Sequence, residues 1–371
     1  MMAGLYFHIP FCKSLCAYCD FFRSVRLADV QRVVEAMHQE LREQRFFLPQ
    51  TDFQTIYFGG GTPSILAPSE LQRFIDAADN LYGVGDVGEI TVEVNPDDIT
   101  AEYVERLRNT AINRVSMGVQ SFNDSELRFM NRRHSAADAV DAVRRLQDAG
   151  ISNITIDLIF GVDGFDEDVL GSSLEQTLSL GVQHVSAYHL TIEPSTTFHR
   201  RLLRGEMREV AESQSEKEFM LIHNTLTSAG FEHYEVSNYA LPGFRARHNA
   251  SYWHGVPYLG IGPGAHSFNG RERHWTLQEF DDYCRERCYQ SELLDERDRF
   301  NEYVMTRLRC AEGLDLEYVE QNFGKGLKVN LEKCAEPWVA SGDLVVEGKN
   351  MRIPAERFLI SDAVIESLFE A

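Results

Sequence analysis

The chain has 371 residues, 43% hydrophobic and 25% charged, enough for one large domain with a smaller companion. Its formal net charge of −21 is spread along the chain and repels phosphate backbones, which argues against nucleic-acid binding. There is no run of 18 apolar residues, and the start, MMAGLYFHIP, has no basic segment ahead of an apolar one. No membrane span and no secretory signal are therefore expected, and a cytoplasmic protein with reduced thiols is.

Short β-rich runs alternate with amphipathic stretches. LYFHIP (5–10) predicts a strand, and 28–47 a helix. TIYFGG (55–60) predicts a strand, followed by a helix over 69–81. EITVEVNP (89–96) and 101–108 form the next pair, then NRVSMGVQ (113–120) and 135–149. NITIDLIFG (153–161) precedes a helix over 168–180, and HVSAYHL (184–190) one over 212–229. Such alternation implies an α/β fold with a parallel sheet, right-handed crossovers and helices outside. Six units are too few for an eight-fold barrel, so a partial (β/α)6 barrel is expected over residues 1–233.

Between 234 and 292 the composition changes, with Gly, Pro and aromatics crowded into YALPGFRARHNASYWHGVPYLGIGPGAHSF. Aromatics need burial, so this segment reads as a folded, irregular aromatic cap and not as a linker. Helix patterns dominate 293–371, and DLVVEGKNMRI (343–353) reads as a hairpin, which together suggest a small C-terminal winged-helix-like domain. Ten basic against seventeen acidic side chains over 291–371 argue against DNA binding by this part.

The ends of the expected strands carry the chemistry. A cysteine loop follows the first, and GGGTPS the second; Glu93 and Asn95 end the third, Gln120 the fourth, and Asp157 lies in the fifth. Ligands of parallel α/β sheets sit at the carboxyl ends of the strands, so these residues should share one mouth. Asp157 lies in an apolar strand, where an unpaired charge is costly unless a ligand or an arginine relieves it.

Cys12, Cys16 and Cys19 are spaced C-x3-C-x2-C, and no further cysteine follows until Cys284. Structural zinc takes four tetrahedral ligands, and His8, inside the preceding strand, is not at a zinc spacing. A [4Fe-4S] cubane takes one thiolate per iron, so three thiolates leave one iron open to an exchangeable ligand. Phe11, Tyr18, Phe21 and Phe22 would shield such a cluster from water, and three unmetallated buried thiols are the plain alternative. Cys284 and Cys288, four apart on an expected helix, read as packed side chains, and Cys310 and Cys334 form no pattern.

The cysteine spacing, with an aromatic residue before its last cysteine, resembles the signature of the radical S-adenosylmethionine family. In order, YFHIPFCKSLCAYCDF, YFGGGTPS, EVNP, NRVSMGVQSF, IDLIFG, HVSAYHL, YEVSNYA, RHNASYW and YLGIGPGAHS resemble the group that holds oxygen-independent coproporphyrinogen III dehydrogenase and the haem chaperones. The resemblance implies a [4Fe-4S] cluster on Cys12, Cys16 and Cys19 whose open iron chelates S-adenosylmethionine, and an electron donor such as a flavodoxin. One electron would then release a 5′-deoxyadenosyl radical, the protein orienting the cofactor and excluding water. The turn Gly59-Gly60-Gly61-Thr62 would let backbone approach the methionine moiety, a tight strand-to-helix turn with Pro63 starting the helix being the plain alternative. By motif, Tyr6, Tyr18, Gly60, Gly61, Thr62, Glu93, Gln120, Arg132, Asp157 and Thr191 would contact S-adenosylmethionine, with Glu93 accepting from its ammonium.

The departures point within the group. The dehydrogenase carries a further cysteine two residues after the third, where this chain has Phe21, and an extension ahead of the first strand; with the first strand expected by residue 5, no such extension is expected here. RHNASYW (247–253) resembles the H-N-x-x-Y-W haem motif of the chaperones. That implies haem with His248 as axial ligand and Tyr252 and Trp253 as walls, and a haem-acceptor protein as partner. Arg245 and Arg247 would meet propionates, and His254 and His266 are rival ligands. Packing of His248 and Trp253 between cap and barrel is the alternative. The family's usual G-L-P after the fifth strand is Gly161-Val162-Asp163 here, and loss of the proline should loosen that loop. Decarboxylation of coproporphyrinogen III to protoporphyrinogen IX is the rival activity.

Overall fold

The computed structural model describes residues 2–48, 52–85, 87–276 and 279–370, so the expected domain limits at residues 1 and 371 lie outside it. β1 (Met2–Ile9), α1 (Val30–Glu43), β2 (Asp52–Gly60), α2 (Pro68–Tyr82), β3 (Glu89–Val94) and α3 (Ala101–Leu107) open the chain. β4 (Arg114–Gln120), α4 (Asp124–Phe129), α5 (Ala136–Asp148), β5 (Ile154–Phe160), α6 (Glu167–Ser179), β6 (His184–His189), α7 (Thr197–Leu203) and α8 (Glu212–Ser228) follow. The strands are buried on both faces and are accordingly almost continuously apolar: Leu5, Phe7, Ile9, Ile56, Phe58, Val92 and Ile156 are fully buried. Several helices start where short polar side chains cap them, as at Thr100 on α3, Asn123 on α4, and Ser135 with Asp138 in a reciprocal capping box on α5. The expected elements all appear, with ends shifted by at most a turn. The expected helix over 28–47 is trimmed, because 27–29 and 44–46 adopt tighter 3₁₀ turns. The sequence reading missed α4 and α7.

Strands β1 to β6 pair in parallel, each with the next, so their carboxyl ends open on one side. The stretch read as an irregular cap contains regular elements: β7 (Glu232–Glu235), β8 (Asn238–Ala240), α9 (Arg247–Trp253), β9 (Tyr258–Ile261), β10 (His266–Phe268), β11 (Glu272–Thr276), α10 (Phe280–Arg285) and β12 (Tyr289–Leu293). Its strands extend the barrel sheet at both edges. Among the described residues the sheet runs β12-β11-β10-β9-β1-β2-β3-β4-β5-β6-β8-β7, with β9 parallel to β1 and the remaining additions antiparallel. The edges of the partial barrel are thus paired by later sequence, which removes the exposed hydrogen-bonding groups an open sheet would leave.

The chain ends with α11 (Glu296–Leu308), β13 (Leu314–Asp315), α12 (Leu316–Phe323), α13 (Lys325–Ser341), β14 (Val345–Glu347), β15 (Asn350–Arg352) and α14 (Ser361–Glu366). Helix, strand, two helices and a hairpin around a small β13-β15-β14 sheet give the expected winged-helix-like arrangement. No helix among the described residues is long and apolar enough to cross a membrane.

Besides the main core, a smaller apolar cluster positions the site. Ala17 of the cysteine loop is buried there with Leu127 and Met130 at α4, Ile159 of β5, and Phe198 of α7. The two helices missing from the sequence reading are the ones that floor the cysteine loop.

Candidate functional site

The cysteine loop is closed at its base by Ser24 N–H donating to Pro10 O at 2.6 Å and Cys12 N–H donating to Ser24 O at 2.9 Å. Its middle is held by Ala17 N–H on Met130 O at 3.0 Å, Phe198 N–H on Ala17 O at 2.9 Å, and Asn131 Nδ2 on Leu15 O at 2.7 Å. Lys13, between the first two cysteines, pairs with the buried carboxylate of Asp98, which also accepts from Ser64 Oγ at 2.7 Å. These bonds hold the loop over the carboxyl ends of β1 to β3.

A cavity of about 360 Å³ lies beneath this loop. Cys12, Cys16, Cys19 and Tyr18 face it from the loop, Gly60, Gly61 and Thr62 from the end of β2, and Glu93 and Asn95 from β3. Gln120, Arg132, Asp157 and Thr191 complete it, so the structure gathers every residue assigned to S-adenosylmethionine except Tyr6. Thr62 Oγ1 donates to Cys12 Sγ at 3.4 Å, and Arg132 Nη1 to Cys16 Sγ at 3.2 Å. Arg132 also binds Asn95 Oδ1 at 2.6 Å and the Gly118 carbonyl. Gln120 has a positive φ of 72°, at an irregularity in the β4–β5 pairing.

The glycine turn also packs the cysteine loop. A Cβ on Gly61 would lie 2.8 Å from the Phe11 carbonyl oxygen and 2.9 Å from that of Ile9, so Gly61 admits the entry of the cysteine loop against β2. Gly60, with φ at 110°, lies against the His8 ring. Sequence reasoning did not single out Lys13, Ser116, Arg133 or Tyr188, which also line the cavity. The position of Lys13 inside the C-x3-C spacing was the one available sign.

The electrostatics favour a charged ligand. Glu93 accepts from Tyr57 OH at 2.7 Å and from Gly60 N–H at 3.1 Å. Burial pushes its carboxyl up to about 7, Tyr57 and Gly60 holding it back and Asp157 adding to the rise. Burial likewise pushes Asp157 up to about 6, against hydrogen bonds from Ser186 and Ser116. Neither carboxylate forms an ion pair among the described residues, and Arg132 Nε is buried without a hydrogen-bond partner among them. Two unpaired acids and one underused base suit a ligand with both an ammonium and a carboxylate. Burial raises the thiols of Cys12 and Cys19, the latter to about 11, which a bound metal would reverse by taking the thiolate. Among the described residues no three acidic, thiol or imidazole groups converge on a single-ion site. Three thiols spread around a cavity suit a cubane, with one thiolate on each of three irons, better than one tetrahedral ion.

A second cavity, of about 920 Å³, lies between the sheet extension and α11 and α12. Tyr6 lies here, with Tyr252, Trp253, Tyr258, Phe268 and Phe323 among its aromatic walls, and His8, His254 and His266 on its surface. Phe21 is 65% exposed and borders both cavities.

His248 is not on either wall. It is 1% exposed, with Nδ1 2.8 Å from Thr55 Oγ1 and Nε2 2.8 Å from Tyr252 OH. Its ring stacks on Tyr57 at 5.0 Å, and burial pushes its pKa down to about 3. Its N–H and that of Arg247 donate to Glu89, which fixes the start of α9. Here His248 is a core histidine with both ring nitrogens engaged. Arg245 pairs with Glu232 at 3.0 Å and with Glu312 at 2.5 Å, and neither it nor Arg247 lines the second cavity.

Two smaller expectations change. The Gly161-Val162-Asp163 loop is held and not loosened: Gly161 N–H donates to Glu218 at 2.7 Å, and Arg208 N–H to Asp163 at 2.9 Å. Cys284 and Cys288 do not share a helical face, because α10 ends at Arg285.

Residues 6–176 match the Radical SAM superfamily, and residues 294–356 match the HemN C-terminal domain. The heme chaperone HemW of Lactococcus lactis is 36% identical over 323 residues, covering 86% of this chain and 84% of the relative. HemW of Mycobacterium tuberculosis is 32% identical, covering 98% and 94%, and that of Escherichia coli is 34% identical, covering 71% and 69%. Coproporphyrinogen III oxidase (HemN) of Escherichia coli superimposes with a TM-score of 0.84 over 99% of this chain and 90% of that one, at 20% identity, a likeness of fold. With fold, cysteine loop and extended sequence identity in agreement, the chain belongs to the radical SAM superfamily and, within it, to the HemW family.

Proposed function

We propose that the protein is a haem carrier that binds a [4Fe-4S] cluster and S-adenosylmethionine in the first cavity, binds haem in the second, and hands haem to an acceptor protein. The observation that carries this reading is the presence of two different cavities side by side. One carries three thiols, Arg132 and two carboxyl groups without an ion pair among the described residues; the other is larger, aromatic-walled and bordered by histidines. Cys12, Cys16 and Cys19 would hold the cluster, and Glu93, Asp157, Arg132 and Gln120 would orient S-adenosylmethionine. The cluster and cofactor together would supply one-electron chemistry. This chain's own residues hold the loop, cover the cavity with Tyr18 and Phe21, and present a carboxylate for the ammonium. Tyr252 and Trp253 would be haem walls, and Tyr6 lines the same cavity.

The relatives named heme chaperones favour a carrier over a decarboxylase. So does Phe21, which stands where the dehydrogenase has its extra cysteine and lays an apolar face on both cavities. Expression in a strain lacking coproporphyrinogen III dehydrogenase tests this. The reading predicts no rescue of anaerobic haem synthesis; growth would make the protein a decarboxylase.

A further inference from the structure

Haem iron needs an imidazole nitrogen with a free lone pair, and the histidines around the second cavity differ in whether they have one. His8 Nε2 donates to Phe22 O at 3.0 Å, and its Nδ1 accepts from Tyr6 OH at 3.0 Å, so both nitrogens are used. His248 is buried, off the wall and likewise engaged at both. His254, directly after α9, is exposed on the cavity wall next to Trp253. Its Nδ1 lies 2.7 Å from the Ala250 carbonyl oxygen. A carbonyl only accepts, so Nδ1 carries the hydrogen and Nε2 is left as a lone pair, without a partner among the described residues.

Resting on the haem reading of this cavity, we infer that His254 Nε2 is the axial ligand of the haem iron. Metal-binding histidines characteristically donate their other N–H to a carbonyl or carboxylate, which fixes tautomer and ring direction, and His254 has that arrangement ready made. A histidine bonding the last carbonyls of a helix is also a common end cap. The cavity around His254 separates the two explanations, since a cap needs no aromatic walls. The same cavity is lined by Arg307, whose Nη1 is buried with no partner among the described residues, a place for a haem propionate. His266, the remaining candidate, has its ring stacked on Trp275 at 5.3 Å and no hydrogen bond among the described residues to fix its tautomer. An exposed ligand on a cavity edge suits cargo that must leave again, which the buried His248 does not.

The test is a hemin titration of the full-length protein followed by its Soret band and low-temperature electron paramagnetic resonance, with His248→Ala, His254→Ala and His266→Ala in parallel. His254→Ala is expected to weaken hemin binding about tenfold or more and to change the spectrum, and added imidazole to restore the wild-type signal. His248→Ala is expected to keep the wild-type spectrum. A His254→Ala protein with wild-type spectrum and affinity would overturn the inference, as would loss of the signal in His266→Ala alone. Wild-type protein without any saturable hemin spectrum would overturn the haem reading itself, a different result from either.

Discussion

Replacing Glu93 by Gln keeps the shape of the side chain and removes its charge. In the structure the Glu93 carboxylate takes one hydrogen bond from Tyr57 and one from Gly60 and has no cationic partner among the described residues, so the charge is free for a ligand ammonium. Hydrogen bonds to charged groups contribute about 1.5–3 kcal/mol, which at about 1.4 kcal/mol per decade is about 10- to 150-fold in affinity. At pH 8 the wild-type carboxyl, pushed up to about 7 by burial, is ionised, and the full difference should appear. At pH 6 only about a tenth of it is ionised, so wild-type affinity should fall about tenfold while that of Glu93→Gln stays level. Equilibrium dialysis of S-adenosylmethionine against cluster-reconstituted protein at both values measures this. A ratio below about threefold at pH 8, or one that does not shrink at pH 6, would show that Glu93 does not receive the ammonium.

Three further outcomes are expected. Cys12→Ala, Cys16→Ala and Cys19→Ala should each abolish the absorbance near about 400 nm of the reconstituted protein, whereas a variant with full iron content would refute the ligand set. Gly61→Ala places a methyl against two backbone carbonyls, at Phe11 and Ile9, and should cost about 1–3 kcal/mol in stability while lowering iron bound per chain; unchanged melting and iron content would refute the packing argument. The stability of ligand-free wild type relative to ligand-free Glu93→Gln should fall as pH rises from about 5 to 7.5. Burial raises Glu93 to about 7, so the folded carboxyl keeps a proton that the unfolded one has lost across that window, whereas the buried histidines, such as His134, His233 and His248 lowered to about 3, are common to both proteins and cancel. The contribution of Glu93 is complete below its unfolded value and is lost as pH rises through the folded one. A difference in melting temperature that is flat, or that moves in favour of wild type as pH rises, would contradict this.

The barrel was legible because its strands are apolar on both faces and most of its helices are long enough to show a period; α3, with seven residues, was legible from its place in the β–α alternation. Helices α4 and α7 were not: each spans less than two turns, too short for periodicity, and each is ordered by docking Met130 or Phe198 beneath the cysteine loop. The sheet extensions were hidden for a related reason. Strands such as Asn238–Ala240 and His266–Phe268 have three residues each, and only pairing with distant sequence makes them strands. At the site, residues at strand ends were readable because parallel topology sends them to one mouth. What sequence could not show was depth. His248 and His254 share one short helix and its end, yet one ring is sealed between Thr55 and Tyr252 and the other faces a cavity. Tyr6 likewise points to the same face of the sheet as Tyr57, whose hydroxyl binds Glu93, yet it lies on the wall of the second cavity, which composition alone does not show.

The most direct test of the carrier account is to reconstitute the cluster anaerobically and titrate haem with and without S-adenosylmethionine, watching the Soret band, then to supply coproporphyrinogen III to the same preparation. The account predicts saturable haem binding and no decarboxylated product. Protoporphyrinogen formed without a saturable Soret change would contradict it and make the protein a dehydrogenase with phenylalanine in place of the extra cysteine.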